Sequence, residues 1–233
     1  MLTGLLIDSG DTLMHPRGGR WNPRFDFEDV VTQHVGTLDH ALLPAAFAAG
    51  EAYLQQWTAE VDRIGPTAAR ADYHRTILAA LGIPAPSDAL LEELDRPLPF
   101  TQIVEPFDDT ADGLARLRDE GWRIAVVADT SPRMVEVYRA LDLDGLIETF
   151  VISEELGCSK PDPRMFQTAS DRLGLPSNEC VFVDDNPVNL AGAFAAGYLV
   201  CGMDRYGGVH EDRWPWVRDL SDLASYLAML RRR

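Results

Sequence analysis

Four acidic residues and one lysine carry the chemistry legible in this sequence. Asp8 ends the apolar run Leu5-Leu6-Ile7 and opens Ser9-Gly10-Asp11-Thr12-Leu13. Asp184 and Asp185 end a second apolar run, from Cys180 to Val183. Lys160 lies between them in Ser159-Lys160-Pro161-Asp162-Pro163, just before a helix start. An apolar run too short for a buried helix reads as a central strand of a parallel sheet, here delivering a carboxylate to its C-terminal tip. In open α/β sheets the chemistry sits at those tips. A carboxylate there can act as a nucleophile, a metal ligand or both. For Asp8 alone a turn or N-cap is the simpler use; the recurrence of acids downstream tips the balance. Carboxylates gathered with one lysine suit Mg²⁺, a hard cation that favours oxygen ligands, and a phosphate substrate. The lysine balances the clustered negative charge and holds a phosphate oxygen.

The elements that must position these residues follow from texture. After Leu13 the stretch from His15 to Pro23 is irregular, with glycines and prolines that mark a linker. Helical texture then holds to about Leu94. Phe47, Leu54, Trp57, Val61 and Ile64 fall on one stripe, and Tyr73, Ile77 and Leu81 on another that stops at Gly82. Arg96-Pro97-Leu98-Pro99 reads as the return linker. From Pro106 helices alternate with strands. Asp109 or Thr110 is expected to cap a helix ending at Gly121, and Ile124 to Ala128 form a strand. Ser131 is expected to cap the next helix, with Pro132 at its first position. Phe150 to Ile152 form a short strand, and Asp162-Pro163 opens another helix. After the Asp184 strand, Ala191, Gly192, Ala193 and Ala196 let a helix pack closely. Leu199 to Cys201 make a further strand, and Ser221 is expected to cap the last helix, whose Arg231-Arg232-Arg233 end suits its dipole. This alternation defines an α/β fold with a doubly wound parallel sheet. The expected domains are an α/β core of residues 1–13 and 97–233 and a helical cap of residues 14–96 over the strand tips.

At 233 residues and 46% apolar content the chain can bury a substantial core. A formal net charge of -16 argues against nucleic acid or an anionic membrane as partner. No run approaches the roughly 20 apolar residues of a membrane span, and no leader pattern precedes the first strand. Three scattered cysteines have no metal spacing and read as reduced thiols of a cytoplasmic protein. The partner expected is a small phosphorylated molecule, for a monomer or a homodimer.

The set Ile7-Asp8-Ser9-Gly10-Asp11-Thr12-Leu13, Lys160-Pro161-Asp162-Pro163-Arg164-Met165-Phe166 and Val183-Asp184-Asp185-Asn186-Pro187-Val188-Asn189 resembles the haloacid dehalogenase superfamily in order, spacing and flanking apolar residues. The helical insertion resembles that family's first-position cap, and the likeness covers essentially the whole chain. The resemblance implies that Asp8 is a nucleophile forming a covalent aspartyl intermediate that water hydrolyses. It implies Mg²⁺ held by Asp8, the backbone carbonyl of Gly10 and Asp184, with support from Asp185 or Asn189. Lys160 would steady the nucleophile and the transferring phosphoryl group. Physics agrees: two anions must approach, and metal plus ammonium offset their repulsion.

Two positions depart from the family's pattern. Its phosphatases carry a second Asp two residues after the nucleophile; here that place is Gly10, and the acid stands at Asp11. Side-chain directions alternate along an extended chain, so Asp11 reads either as a displaced acid or, better, as an Asx-type turn stabiliser. The family's phosphate-binding Ser or Thr aligns with Ala128; Thr130 and Asp129 join Lys160 as phosphate-side candidates, Thr130 supplying a hydroxyl if the turn shifts by one and Asp129 repelling a phosphate unless it faces away or reaches the metal. Arg17, Arg20 and Trp21 read as solvated linker or as residues reaching a substrate, Arg133 as a first-turn arginine, and His15 has no assignment. Three functions compete: a Mg²⁺-dependent phosphatase acting on a small metabolite; a 2-haloacid dehalogenase- or phosphonatase-like hydrolase, which Gly10 favours; and a non-catalytic or regulatory binding module, which Gly10 and Ala128 favour and the intact Asp8, Lys160 and Asp184 oppose.

Overall fold

The computed structural model describes residues 2–57, 66–210 and 213–232. Val61, Ile64 and Arg233, placed above by pattern, lie outside those residues. The chain forms two compact units, Met1–Pro16 with Phe100–Arg233, and Arg17–Pro99.

The first unit is built on a six-stranded sheet in the order β5-β4-β1-β6-β7-β8, its strands being β1 (Gly4–Ile7), β4 (Arg123–Ala128), β5 (Thr149–Ile152), β6 (Cys180–Asp184), β7 (Leu199–Met203) and β8 (Trp216–Val217). Every pairing is parallel. Alternation along the strands splits the core in two, as a sheet buried on both faces requires. Leu5, Ile7, Ile124, Val126, Val181 and Val183 face one side. Leu6, Ala125, Val127, Cys180 and Phe182 face the other. Helices α6 (Thr110–Asp119), α7 (Arg133–Ala140) and α11 (Leu220–Leu230) bury Leu114, Leu117, Val137, Tyr138, Leu223 and Leu227 against the first face. Helices α9 (Pro163–Arg172) and α10 (Pro187–Ala195) bury Met165, Phe166, Leu190 and Ala193 against the second. From β1 the chain winds outward to β4 and β5, then returns to β6 on the other side of β1. The switch point therefore lies between the tips of β1 and β6, where such sheets place their ligands.

The second unit is helical: α1 (Phe27–Val35), α2 (Leu43–Leu54), α3 (Pro66–Ala80) and α4 (Asp88–Asp95). Phe27, Val31, Tyr73, Ile77, Leu90 and Leu94 form its core, with Phe47, Leu54 and Trp57 packed against it. Arg20 is spent inside this unit, on Glu28 at 3.0 Å and over the Phe47 ring at 4.5 Å.

The observed division falls three residues beyond the expected one at each end. Strand β2 (Met14–Pro16) pairs antiparallel with β3 (Val104–Pro106), so the chain leaves and re-enters the first unit as a small ribbon that local texture does not announce. Three expected caps also give way. Asp109 makes no cap bond to its helix, and Thr110 Oγ1 donates instead to the Leu13 carbonyl at 2.7 Å. The Ser131 hydroxyl is buried without a hydrogen-bond partner among the described residues, and Pro132 takes the N-cap place. Asp219, not Ser221, caps the last helix by accepting the Asp222 N–H at 2.7 Å.

Candidate active site

Asp8 stands one residue beyond β1, and its N–H donates to the Val183 carbonyl at 2.9 Å, which carries the β1–β6 pairing to the tip. Asp184 is the last residue of β6 and is fully buried. Lys160 arrives from the loop before α9. Asp162 caps that helix by accepting the Arg164 N–H at 2.9 Å, with Pro163 in its first turn, so the loop ends at a defined place. Gly192 of α10 lets Pro161 lie against the helix backbone: a Cβ there would sit 2.4 Å from Pro161 Cβ and 2.9 Å from its carbonyl oxygen. The Lys160 ammonium is thereby driven between two carboxylates, donating to Asp8 and, at 2.8 Å, to Asp184 Oδ2. Asp184 also accepts from the Asn186 N–H at 2.8 Å and from Asn189 Nδ2 at 3.1 Å. Asp185 completes the group: Asp8, Asp184 and Asp185 each offer an oxygen within 4.8 Å of the others.

Three carboxylates thus face one ammonium in a nearly dry site. Burial pushes the Asp8 carboxyl up to about 8; Lys160 pulls against this and Asp184 adds to it. Burial, Asp184 and Asp11 push Asp185 up to about 6. Burial works against a charged Lys160, but Asp8 and Asp184 outweigh it and hold the ammonium protonated well above the usual range. The cluster is short of positive charge by two, and carboxylates that cannot find a cation take up protons instead. All-oxygen donors of this kind fit a hard divalent ion.

The other expected residues divide. Asp129 accepts the Lys160 backbone N–H at 2.9 Å, so its carboxylate holds the lysine loop beside the strand tip. The Thr130 carbonyl accepts from the Ser153 hydroxyl and the Glu154 N–H, both at 3.3 Å, while the buried, unpartnered hydroxyl of that turn is the neighbouring Ser131. Asp11 takes the left-handed conformation, φ 52, and its carboxylate accepts the Tyr206 hydroxyl at 2.8 Å. The Ser9 hydroxyl is turned to the Tyr138 hydroxyl at 2.9 Å. Arg133 lies over the Phe100 ring at 5.0 Å. Ser131 and Tyr206 were not singled out by sequence as site neighbours; a hydroxyl three residues past the aligned Ala128 was a usable signal for Ser131, and none existed for Tyr206.

A doubly wound sheet that presents a buried carboxylate–lysine–carboxylate array at its switch point defines an α/β protein with an acidic, lysine-bearing site at its strand tips. Residues 7–197 match the haloacid dehalogenase-like hydrolases, and the chain belongs to that family. Among curated relatives it is 30% identical over 139 residues to (S)-2-haloacid dehalogenase 4A of Burkholderia cepacia, a match covering 58% of this chain and 60% of that enzyme. It is also 30% identical over 138 residues to the phosphatase MT3486 of Mycobacterium tuberculosis, covering 58% of this chain and 62% of that protein. The matches therefore span less than two thirds of these relatives. Among solved structures, the HAD-hydrolase YfnB from Bacillus subtilis bound to magnesium superposes with a TM-score of 0.71 at 16% identity, covering 97% of this chain and 98% of that one, a likeness of fold.

Proposed function

We propose that this hydrolase is a Mg²⁺-dependent phosphatase of small phosphate monoesters, with Asp8 as nucleophile. The observation that carries the reading is the charge deficit of the site: Asp8, Asp184 and Asp185 against Lys160 alone. A protonated Asp8 is no nucleophile, and its elevated pKa calls for a further cation beside it. Asp8, the Gly10 carbonyl, Asp184 and Asp185 would hold Mg²⁺, with Asn189 orienting Asp184. The ion would supply the charge that keeps Asp8 anionic and admits the phosphate.

In the reaction a carboxylate oxygen of Asp8 attacks phosphorus, and the bond from phosphorus to the ester oxygen breaks. Lys160 restrains Asp8 and faces the transferring group with an ammonium. Asp129 holds the lysine loop through its backbone. Water then hydrolyses the aspartyl phosphate, and phosphate leaves. With Gly10 where a carboxyl would protonate the leaving oxygen, esters whose leaving groups depart as anions turn over best. Thr130 would supply a hydroxyl to the phosphate. The chain works in the cytoplasm as a monomer or homodimer on a free small molecule; among the described residues its three cysteines are unpaired, and no helix is long and apolar enough to cross a membrane.

Gly10 also favours a second reading. Displacement of halide from a 2-haloacid by Asp8 needs no proton for the leaving group, and several curated relatives are named as dehalogenases. A panel of aryl phosphates, alkyl phosphates and 2-haloacids, each with Mg²⁺ and with EDTA, separates the two. Phosphate release that requires Mg²⁺, faster from aryl than alkyl esters, is expected. Halide release indifferent to EDTA would overturn the phosphatase reading.

A further inference from the structure

The loop that carries Asp8 is held from outside. Within it, the Leu13 and Met14 N–H groups donate to the Ser9 carbonyl at 2.9 and 2.8 Å, and the Asp11 N–H donates to the Met14 carbonyl at 2.7 Å. Its centre is a left-handed aspartate, a conformation that a residue with a side chain adopts at a cost. The outward carbonyls of Thr12 and Leu13 are taken by two distant segments. The Leu13 carbonyl accepts from Thr110 Oγ1 and from the Phe107 N–H at 3.2 Å. The Thr12 carbonyl accepts from Arg205 Nε at 2.9 Å.

Arg205 is built for this duty. Its side chain is only 5% exposed, its Nη1 reaches both Asp109 oxygens at 2.9 Å, and its guanidinium lies 4.4 Å from the centre of the Phe107 ring. Asp109 is fixed in turn by the Leu220 N–H at 2.7 Å. The segment bearing Arg205 is tied by Asp204, whose Oδ1 accepts the N–H groups of Tyr206, Gly207 and Gly208 at 3.2, 2.8 and 3.0 Å. Asp204 also pairs with His210 at 3.2 Å, and His210 stacks on Trp216. Consecutive residues of this knot reach consecutive residues of the nucleophile loop: Arg205 to Thr12, Tyr206 to Asp11.

We propose that Arg205, seated on Asp109, is a positioning residue that sets the pose of residues 9–13 and through it the aim of Asp8, with Tyr206 as a second hold on Asp11. A planar fork that spans a carbonyl and a carboxylate at fixed angles does what an ammonium on a flexible stem cannot. The kinetic part of this inference rests on the phosphatase reading; the structural part does not.

The test compares the full-length wild type with Arg205→Met, Arg205→Lys and Asp109→Asn. Amide hydrogen exchange is followed by NMR for Asp11, Leu13 and Met14, with the amides of β4 as internal control. Steady-state turnover of 4-nitrophenyl phosphate with Mg²⁺ gives kcat and KM. Arg205→Met should speed loop exchange about tenfold or more while β4 stays within about twofold. It should lower kcat by about 10²-fold with little change in KM, the effect of a misaimed nucleophile. Arg205→Lys and Asp109→Asn should fall between, and they carry the test if Arg205→Met does not fold. Loop exchange unchanged from wild type, or exchange rising equally in β4, would overturn the proposal, since the residue would then be idle or merely structural. A wild type that releases no phosphate from any ester would overturn the functional reading, and the exchange result alone would then decide for or against the clamp.

Discussion

Replacing Asp8 by Asn removes one charge from the cluster and leaves its shape. In the metal-free protein burial, with Asp184 and Asp185, lifts the Asp8 carboxyl from an ordinary 3.8 to about 8 against the pull of Lys160. A folded-state pKa above the unfolded one means that the native state binds the extra proton. The associated stability is complete below about pH 4 and is lost as pH climbs through about 8. At about 1.4 kcal/mol for each tenfold change in acidity, full ionisation of Asp8 costs the fold on the order of 5 kcal/mol. Relaxation of the ionised cluster and entry of water offset part of that cost, so about 3 kcal/mol is the expected net effect. Asn cannot ionise and escapes this loss. Urea unfolding in EDTA should therefore give similar stabilities near pH 4 and a gap in favour of Asp8→Asn that widens to about 3 kcal/mol near pH 8.5. Saturating Mg²⁺ should narrow the gap, because an ion bound only by the native cluster stabilises the wild type by mass action. Turnover by the variant should vanish, with mass spectrometry excluding hydrolysis of the amide back to Asp. A gap independent of pH, or a wild type that is the more stable at high pH without metal, would refute the electrostatic reasoning.

Three further outcomes are expected. Asp185→Asn should weaken Mg²⁺ binding by about tenfold or more by calorimetry, because the cluster loses one oxygen anion that burial and Asp184 already strain. Gly192→Ala should cost about 1–3 kcal/mol in urea unfolding and lower kcat, since its methyl meets Pro161 at 2.4 Å and the loop that must yield carries Lys160. His74, buried in the helical unit with Nδ1 unpartnered among the described residues, has its pKa lowered by burial to about 4. The unfolded chain then binds the proton first, so stability present above about pH 6.5 falls by up to about 3 kcal/mol as pH drops through 4. His74→Leu should abolish that part of the acid slope in a pH series of urea midpoints.

The sheet and its acids were legible because their signals are local. Three apolar residues before Asp8, and a like run before Asp184, state strand, burial and tip within a few positions. Lys160 was legible from the Asp162-Pro163 helix start that follows it. What escaped depends on partners far along the chain. Asp109 has the composition of an N-cap, yet Arg205, 96 residues away, takes its carboxylate. Asp129 reads as a site residue from its strand tip, but its bond from the Lys160 N–H, 31 residues on, has no local signal. The division at Pro16 depends on Met14–Pro16 meeting Val104–Pro106, a pairing that neither short segment announces alone. Local patterns fix elements; they do not say which of several polar partners a side chain will choose once the elements meet.

The same distinction bears on the two functional readings, which share Asp8 and Lys160 and part at Asp185 and Gly10. A nucleophilic carboxylate must be ionised at working pH, and one ammonium suffices for that if it faces one or two carboxylates. Here it faces three, and Asp8 is left with a pKa near 8. For a metal-free displacement of halide, Asp185 is an adverse charge that adds, after burial and Asp184, to the raised pKa of Asp8 and repels an anionic substrate. For a metal-assisted phosphoryl transfer the same charge recruits the cation that ionises Asp8 and neutralises the phosphate. Gly10 is compatible with either chemistry, since it removes a proton donor without adding or removing a cation. Asp185 therefore discriminates more sharply than Gly10 does, and it is the residue on which the proposed phosphatase reading rests against the dehalogenase one.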